Sequence, residues 1–328
     1  MKQSDLRKPA TIIDVARRAG LSKSTVSNVI RGARGITTST RERVEQAIDD
    51  LGYRPNALAR QLVQQRASIF GVVSGDLSNP FFAEIMNEIE QYAATRDYRV
   101  MFCSAPSDMR DRLAGLRALL DHRVAGLLFL TQINDDDTRN LVASSRVPAV
   151  FVTCAAEWAD IVCSDDVRGG VVATNHLISL GHTRIGYLAD SLSEDEADRN
   201  RQIGYVQAMQ ANGLKPAVFH WKDGGMTDVR EMPMKRLIGG SNRYTAFFSS
   251  NDFGAIALLD HADRLGVKVP EDLSVIGFDD VSLVSLRRIN LTTMAQPKAT
   301  MARLAVNMLA GRIAGDIQGG QVRQTIDC

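Results

Sequence analysis

The sequence has few cysteines and no long apolar run. Its 328 residues include only 4 cysteines, and because no two form a C-x-x-C pair, zinc ribbons and thioredoxin-like redox sites are excluded. We expect Cys103, Cys154, Cys163 and Cys328 to be reduced structural thiols of a cytoplasmic protein. No apolar stretch reaches the ~18 residues needed to span a bilayer, and the polar start of the chain does not resemble a secretory signal.

Catalytic signatures are also missing from the sequence. The chain has no G-x-S-x-G, Walker or G-x-G-x-x-G motif, and no His and Cys cluster at metal-ligand spacing. These absences argue against an enzyme. They also predict that the protein has no cofactor and no metal site.

The formal net charge of +1 hides an uneven distribution of charge. Residues 1–66 hold 13 Lys and Arg against 6 Asp and Glu, whereas the rest of the chain holds 26 against 32. A basic block attracts phosphate and releases counterions from DNA. The start of the chain is therefore expected either to bind a polyanion or to form an ordinary solvated face.

The length of the chain predicts that this start is a small module joined to a domain of ~250 residues.

Two short helices meeting at a tight turn are predicted near the start of the chain. Thr11 and Asp14 form a capping pair, Gly20 suits a left-handed helix end, and Ser22 suits the cap of a second helix. Apolar residues at helical spacing complete the pattern of a helix-turn-helix. The predicted buried positions are Val15, Ala16, Ala19, Leu21, Val26 and Val29.

A third helix is predicted from Ser39, with residues 39–42 as a capping box and Val44 to Leu51 providing an inward face. The alternative to a DNA-binding module is a bundle of three helices that pack for stability alone. If the second helix enters the major groove, its exposed residues Lys23, Ser24 and Asn28 are predicted to contact bases. The residues predicted to lie beside phosphates, through side chains or capped helix starts, are Thr11, Ser22, Thr25 and Ser27.

These motifs and the segment that follows them resemble the lactose-repressor (LacI/GalR) family. The matching stretches are T-I-I-D-V-A from Thr11, T-V-S from Thr25, R-E-R-V from Arg41, and Gly52 to Leu62. The resemblance implies a hinge helix that pairs with its copy in a second subunit and inserts Leu62 into the minor groove, with Ala59 at the hinge contact. Asn56 can cap that helix. In the alternative, Leu62 is a linker residue covering the larger domain. The family commonly has other residues at Asn28 and Arg31, so no operator sequence can be transferred.

From Ile69 onward, short apolar runs alternate with amphipathic helical segments, which predicts two lobes of parallel sheet with a ligand cleft between them. The resemblance continues through Ser78 to Phe82, Gly277 to Asp280 and further motifs, and it implies a periplasmic-binding-protein-like domain. It also implies that His176 and His182 are structural. Asp165 either lies near the cleft or only caps a helix.

The resemblance places ligand contacts on Phe81, Phe82, Arg201, Asn251 and Asp279. The two rings can pack against an apolar face, and the polar groups can bind hydroxyl or N–H groups. Alternatively, Arg201 and Asp279 form a purely structural ion pair.

The predicted fold class is α/β, with a helix-turn-helix domain (1–54), a hinge helix and linker (55–66), and a two-lobed effector-binding and dimerisation domain (67–328). The expected function is repression of transcription, through binding of operator DNA by a homodimer or tetramer under the control of a sugar-like effector. A purine-responsive or other metabolite-responsive corepressor-type regulator, and a cytoplasmic sugar-binding protein, are the alternatives. The chain stops short of the family's usual last strand, so either a short strand suffices or part of the protein is missing.

Overall fold

The computed structural model describes residues 10–30, 33, 35–53, 68–75, 77–105, 108–154, 156–189, 196–220, 237 and 243–328. The chain divides into two compact units, Met1–Ala67 and Ser68–Cys328. Among the described helices, none is long and apolar enough to cross a membrane.

The first unit is a bundle of three helices, as predicted. Helix α1 is Ile12–Ala19, α2 is Lys23–Ile30 and α3 is Thr38–Leu51. The Thr11 and Asp14 capping box opens α1, Gly20 ends it with φ 62, and Ser22 Oγ accepts the Thr25 amide at the start of α2. The helices share one core, whose buried members are Val15, Ala16, Ala19, Val26, Val29, Val44 and Ala47.

The capping box predicted at residues 39–42 is wrong, because the cap of the third helix is Thr37, two residues before Ser39. Helix α3 begins at Thr38, and the Thr37 hydroxyl oxygen accepts the Thr40 amide at 3.3 Å. Thr40 therefore occupies the third helical position, where a capping box needs Glu or Gln. Further along α3, Arg43 donates to the last-turn carbonyl of Ala19 at 2.7 Å and so fixes α3 against the end of α1.

The second unit contains two parallel sheets, which confirms the predicted two-lobed α/β fold. The first lobe has strand order β11-β5-β4-β3-β1-β2 and the second has β10-β9-β8-β6-β7. The strands are β1 Ile69–Ser74, β2 Arg99–Ser104, β3 Gly126–Phe129, β4 Ala149–Val152, β5 Asp160–Ser164, β6 Ile185–Ala189, β7 Val218–His220, β8 Ala246–Ser249, β9 Ser274–Asp279, β10 Thr292–Ala295 and β11 Arg323–Ile326.

Helices cover both faces of each sheet. In the first lobe α4 (Pro80–Ala94) and α10 (Lys298–Ala314) pack on one face, and α5 (Met109–Asp121) and α6 (Asp136–Ser145) pack on the other. In the second lobe α7 (Asp166–Ser179) and α8 (Glu196–Ala211) share a face, opposite α9 (Asp252–Arg264). Strands buried on both sides explain the apolar runs in the sequence.

The carboxyl ends of the two sheets face each other, and we call the space between them the cleft. Gln132 after β3 accepts the Glu196 amide at the start of α8 (2.7 Å), and Ser164 at the end of β5 donates to Gln296 after β10 (2.6 Å). The short 3₁₀ helix Ser282–Ser285 follows β9 and packs Val284 into the core of the first lobe. These contacts join the two lobes beside the predicted ligand site.

Helices α7 and α8 cross so closely that glycine is required at the crossing. A Cβ atom on Gly204 would lie 2.1 Å from the Val167 carbonyl oxygen, and one on Gly170 would lie 2.3 Å from the Arg201 carbonyl oxygen. Both neighbours are backbone atoms of packed helices. The crossing therefore depends on residues without side chains, and it positions Arg201 beside the start of α7.

Replacing Gly204 with alanine is expected to lower the free energy of unfolding by about 1–3 kcal/mol, because helices α7 and α8 must move apart. Gly320→Ala is the matched control, since nothing lies within 4 Å of a Cβ at that position. Urea unfolding of both variants measures the difference. Equal stability of the two variants would contradict the close crossing.

Candidate DNA interface and interlobe ligand site

The predicted DNA-contact residues on α2 lie on its accessible side. Ser22, Lys23 and Ser24 are exposed at its start, while Val26 and Val29 point into the core. Thr25, Ser27 and Asn28 are partly exposed. The Ser22 hydroxyl lies 2.7 Å from that of Ser24, so the capped first turn presents a cluster of polar groups. This surface has the composition of a helix that reads the major groove.

Three of the predicted DNA contacts, Asn56, Ala59 and Leu62, lie outside the described residues. Thr11, which opens α1, is exposed. The basic side chains of Arg17 and Arg18 on α1 are 79% and 59% exposed, and they pair with Asp14 and Asp50. All the predicted DNA contacts remain predictions.

Arg201 is the central polar group of the second lobe at the cleft. Its Nε donates to Asp166 Oδ1 at 2.8 Å, and its Nη1 donates to the Ser250 carbonyl at 2.7 Å. The guanidinium lies 3.9 Å above the centre of the Phe278 ring. Asp279 Oδ1 is 3.6 Å from Nη1, beyond hydrogen-bonding distance. The structure thus brings the predicted Arg201 and Asp279 together, but the hydrogen-bonded partner is Asp166, which the sequence did not indicate.

Asp279 sits in an unusual turn at the end of β9. Its φ is 121 and that of Asp280 is 54, both in the left-handed region that non-glycine residues rarely adopt. The carboxylate is 2% exposed and accepts the Gln296 side-chain amide at 2.7 Å. Burial raises the pKa of Asp279 to about 7, which outweighs the attraction of Arg201. The carboxyl group therefore titrates near neutral pH.

Lys298 holds this turn in place. Its Nζ donates to the carbonyls of Asp279 (3.1 Å) and Asp280 (2.6 Å) and pairs with Glu84 of α4 at 2.9 Å. Glu84 also accepts the Ser282 amide at 2.7 Å. The pair ties the turn of the second lobe to α4 of the first. The sequence did not indicate either residue, since the partners are 214 positions apart.

The other predicted ligand residues differ in accessibility. Phe81 is 3% exposed within the core of the first lobe, whereas Phe82 is half-buried and meets the Phe81 ring edge to face at 5.6 Å. Asn251 is 9% exposed, and its side-chain oxygen caps α9 by accepting the Gly254 amide at 2.7 Å. Phe82 therefore offers the more accessible ring, and the amide nitrogen of Asn251 is the group that can serve a ligand.

Asp165 and His182 each have two interpretations in the sequence, and they lie at opposite ends of their sheets. Asp165 caps α7 by accepting the Arg168 amide at 3.0 Å, which is the helix-cap alternative. His182 bridges the starts of β8 and β9 through the hydroxyls of Thr245 (2.9 Å) and Ser274 (3.0 Å), as expected of a structural histidine. Within the described ranges, no group of three or more His, Cys, Asp or Glu side chains could hold a metal ion.

The raised pKa of Asp279 predicts a pH effect on stability. Its folded value of about 7 exceeds the ordinary 3.8, so the stability that this group contributes is present below pH ~4 and is lost as the pH rises through ~7. Asparagine does not titrate. Between pH 5 and 8, wild type should therefore lose stability relative to Asp279→Asn. Urea unfolding at four pH values measures this difference, and a difference that stays constant or changes in the opposite direction would contradict the assignment.

A helix-turn-helix followed in the same chain by two lobes of parallel sheet with a polar cleft defines a DNA-binding regulator with a ligand-binding domain. Residues 11–56 match the family described as bacterial regulatory proteins, lacI family, and residues 174–327 match the periplasmic binding protein-like domain. The chain is 35% identical to the HTH-type transcriptional repressor PurR of Photobacterium profundum, over 93% of this chain and 92% of that protein.

Two further similarities extend over nearly the whole chain. It is 34% identical to the Ribose operon repressor of Escherichia coli (strain K12) over 93% of each protein. The solved lac repressor dimer bound to operator and the anti-inducer ONPF matches with a TM-score of 0.82 and 27% identity, covering 97% of both chains. The protein belongs to the lacI family of bacterial regulatory proteins, as the sequence resemblance predicted.

Proposed function

We propose that this protein represses transcription in the cytoplasm by binding operator DNA, and that a small polar ligand in the interlobe cleft controls this binding. The observation that carries the proposal is the exposed polar start of α2, on a capped helix-turn-helix in the same chain as the cleft around Arg201. The relatives are named as repressors, and the lac repressor structure contains operator. Catalysis is not part of the proposal.

In this account Lys23, Ser24 and Asn28 contact base edges, and Thr11, Ser22, Thr25 and Ser27 contact the phosphate backbone. We assign 1–54 to the DNA-binding domain, 55–66 to the hinge helix and linker, and 67–328 to the effector domain. For Asn56, Ala59 and Leu62, which lie outside the described residues, the proposed roles are helix cap, contact between the two hinge copies and insertion into the minor groove. An apolar wedge of this kind kinks the duplex.

The effector is proposed to contact Arg201, Asn251 and Asp279 through its polar groups, and Phe82, backed by Phe81, through an apolar face. A sugar is the first choice, since one relative is named Ribose operon repressor. A purine-responsive or other metabolite-responsive corepressor is the second, because another relative is named PurR. The effector acts by favouring one arrangement of the lobes. By thermodynamic linkage, the factor by which the effector changes operator affinity equals the factor by which operator DNA changes effector affinity.

We also propose that the protein works as a homodimer, the state of the lac repressor structure. A cavity of about 1310 Å³ lies on the second lobe away from the predicted ligand residues, with Leu180 and Leu259 among its lining. Leu180 and the nearby Leu286 are 60% and 53% exposed. Clustered exposed leucines of this kind are typical of a surface that another protein chain covers.

The test is gel retardation of DNA from upstream of the protein's own operon, across a salt series. The expected result is retention in the presence of excess unrelated DNA, with affinity falling steeply as salt rises. Leu62→Ala should weaken this binding without changing ligand affinity. Indifference to DNA sequence, or no binding at low salt, would overturn the proposed function.

A further inference from the structure

The segment that follows β9 leaves the second lobe and is buried in the first. Val281 and Val284 are 1% and 3% exposed and belong to the same hydrophobic core as Phe81 of α4. Burial of apolar side chains is the main force that holds such an attachment. The connecting segment, residues 279–284, therefore begins with the proposed effector contact Asp279 and ends inside the first lobe.

Two charged residues of the first lobe bind the backbone of the connecting segment. From the start of α10, the Lys298 ammonium donates to the carbonyl oxygens of Asp279 (3.1 Å) and Asp280 (2.6 Å). From α4, Glu84 accepts the Ser282 amide at 2.7 Å and pairs with Lys298 at 2.9 Å. The three protons of the ammonium thus have three acceptors, and both carboxylate oxygens have a donor. We call this arrangement the Glu84–Lys298 clamp.

The clamp is better shielded from water than a surface ion pair. The Glu84 and Lys298 side chains are 25% and 16% exposed. Burial raises the pKa of Glu84, but the bonds from Lys298 and Ser282 outweigh burial and hold this pKa below its ordinary value. The carboxylate is therefore charged at neutral pH, and solvent weakens its attraction to the ammonium less than it would at the surface.

Other described contacts between the lobes offer fewer or more exposed bonds. Ser164 donates to Gln296, which donates to the Asp279 carboxylate, by one hydrogen bond each. Arg323 of β11 pairs with Glu196 of α8 at 3.4 Å, but the two side chains are 49% and 32% exposed. The clamp instead makes three bonds to the backbone of one segment, which fixes that segment more firmly against the first lobe.

The joint between the lobes is only two residues long at this point. Strand β9 ends at Asp279 and pairs with β8 and β10 of the second lobe, whereas Asp280 and Ser282 are bonded to the first lobe by the clamp. Asp279 and Asp280 are the residues with φ of 121 and 54. A change in the angle between the lobes must therefore either rotate these two residues out of their turn or break the clamp.

We infer that Glu84 and Lys298 are positioning residues that hold the two lobes in the arrangement that binds operator. They act through the backbone of the connecting segment and are not among the proposed contacts of the effector or of DNA. The inference rests on the proposed function, because it assumes that the arrangement of the lobes controls operator binding. It predicts that breaking the clamp weakens operator binding by protein to which no effector has been added.

The test is fluorescence anisotropy of the full chain on the upstream DNA of its own operon, with unrelated DNA as the reference and no effector added. Glu84→Gln removes the charge that faces Lys298, and Lys298→Met removes all three donors. Because a looser joint populates several lobe arrangements, a smaller fraction of the protein is ready to bind operator. We expect each variant to bind operator at least ~5-fold more weakly than wild type, the lower end of the usual coupling between two sites. The double variant should lose no more than about twofold beyond Lys298→Met, because both changes break the same clamp.

Glu90→Gln is the matched control. Glu90 lies on the same helix, α4, but pairs with Arg99 within the first lobe at 4.0 Å, and the two side chains are 50% and 78% exposed. Its operator affinity should stay at the wild-type value. Circular dichroism and urea unfolding show whether each variant is folded. If Lys298→Met does not fold, Glu84→Gln decides alone, since its side-chain oxygen can still accept the Ser282 amide.

A clamp that is merely structural would lower the free energy of unfolding and leave the operator dissociation constant unchanged. An unchanged or tighter constant in Glu84→Gln and Lys298→Met would therefore overturn the inference, and so would losses that multiply in the double variant. Specific operator binding by wild type would in that case leave the proposed function intact. Failure of wild type to prefer operator over unrelated DNA would refute the proposed function and the inference together.

Discussion

Arg201→Met is expected to lower the free energy of unfolding by about 3–5 kcal/mol, the cost of leaving buried charges without their partner. Asp166 and Asp279 are 5% and 2% exposed, and the guanidinium is the cation that both face. Urea unfolding near neutral pH measures the loss. The matched control is Arg168→Met, whose ion pair with Asp327 is 63% exposed on the arginine side and should contribute at most ~1 kcal/mol.

The same arginine allows a structural role to be separated from ligand binding. In the double variant Arg201→Met/Asp166→Asn, one of the two stranded charges is removed, so part of the lost stability should return. Ligand response should stay absent, because the donors for the ligand are still missing. A double variant that regains both stability and ligand response would identify Arg201 as a structural residue only.

Asn28→Ala is expected to weaken operator binding by about 5- to 150-fold, the range of about 1–3 kcal/mol for a good base contact. Because the amide reads a base edge, the loss should be larger on operator than on unrelated DNA. Ser27→Ala is the matched comparison on the neighbouring residue. Loss of its predicted phosphate contact should weaken binding to operator and to unrelated DNA about equally.

Fluorescence anisotropy on both DNA types measures these losses. Thermal unfolding of each variant confirms that the three-helix core is intact, since Asn28 and Ser27 are both outside that core. If Asn28→Ala weakens both DNA types equally while Ser27→Ala discriminates, the assigned contacts are reversed. No effect from either change would exclude α2 as the reading helix.

Local patterns were sufficient to predict most of the elements. The first of the apolar runs that begin at Ile69 is the strand Ile69–Ser74, and the first amphipathic segment after it is the helix Pro80–Ala94. Both patterns are strong because the strand is buried on both faces and the helix has an Asn79 cap with Pro80 in its first turn. Elements with such local signals can be predicted from the sequence without knowledge of their tertiary contacts.

Helices α6 and α10 were not predicted, for opposite reasons. Helix α6 buries only Thr138 and Val142 and contains several Ser, Asn and Asp residues, which are poor helix formers. Helix α10 buries six residues against α4 and the sheet, so its apolar positions do not form a single narrow stripe. Neither sequence shows the clear period on which the prediction depends.

The partners within the candidate site could not be predicted from spacing. Arg201 and Asp166 are 35 positions apart, and Gln296 lies 132 positions from Ser164. Pairs of this kind form only once strand order places β5, β9 and β10 side by side or opposite one another. Sequence motifs identified Arg201 and Asp279, but the residues that orient them, Asp166, Gln296 and Lys298, required the fold.

The most direct test of ligand control is the operator dissociation constant, measured by anisotropy with and without neutral sugars and nucleobases, for wild type and Asp279→Asn. We predict that at least one such molecule shifts the wild-type constant by about 5- to 150-fold, the usual range of coupling between two sites. Asp279→Asn should bind operator like wild type and show no shift. An unchanged wild-type constant with every molecule, or a variant that responds as wild type does, would contradict the account.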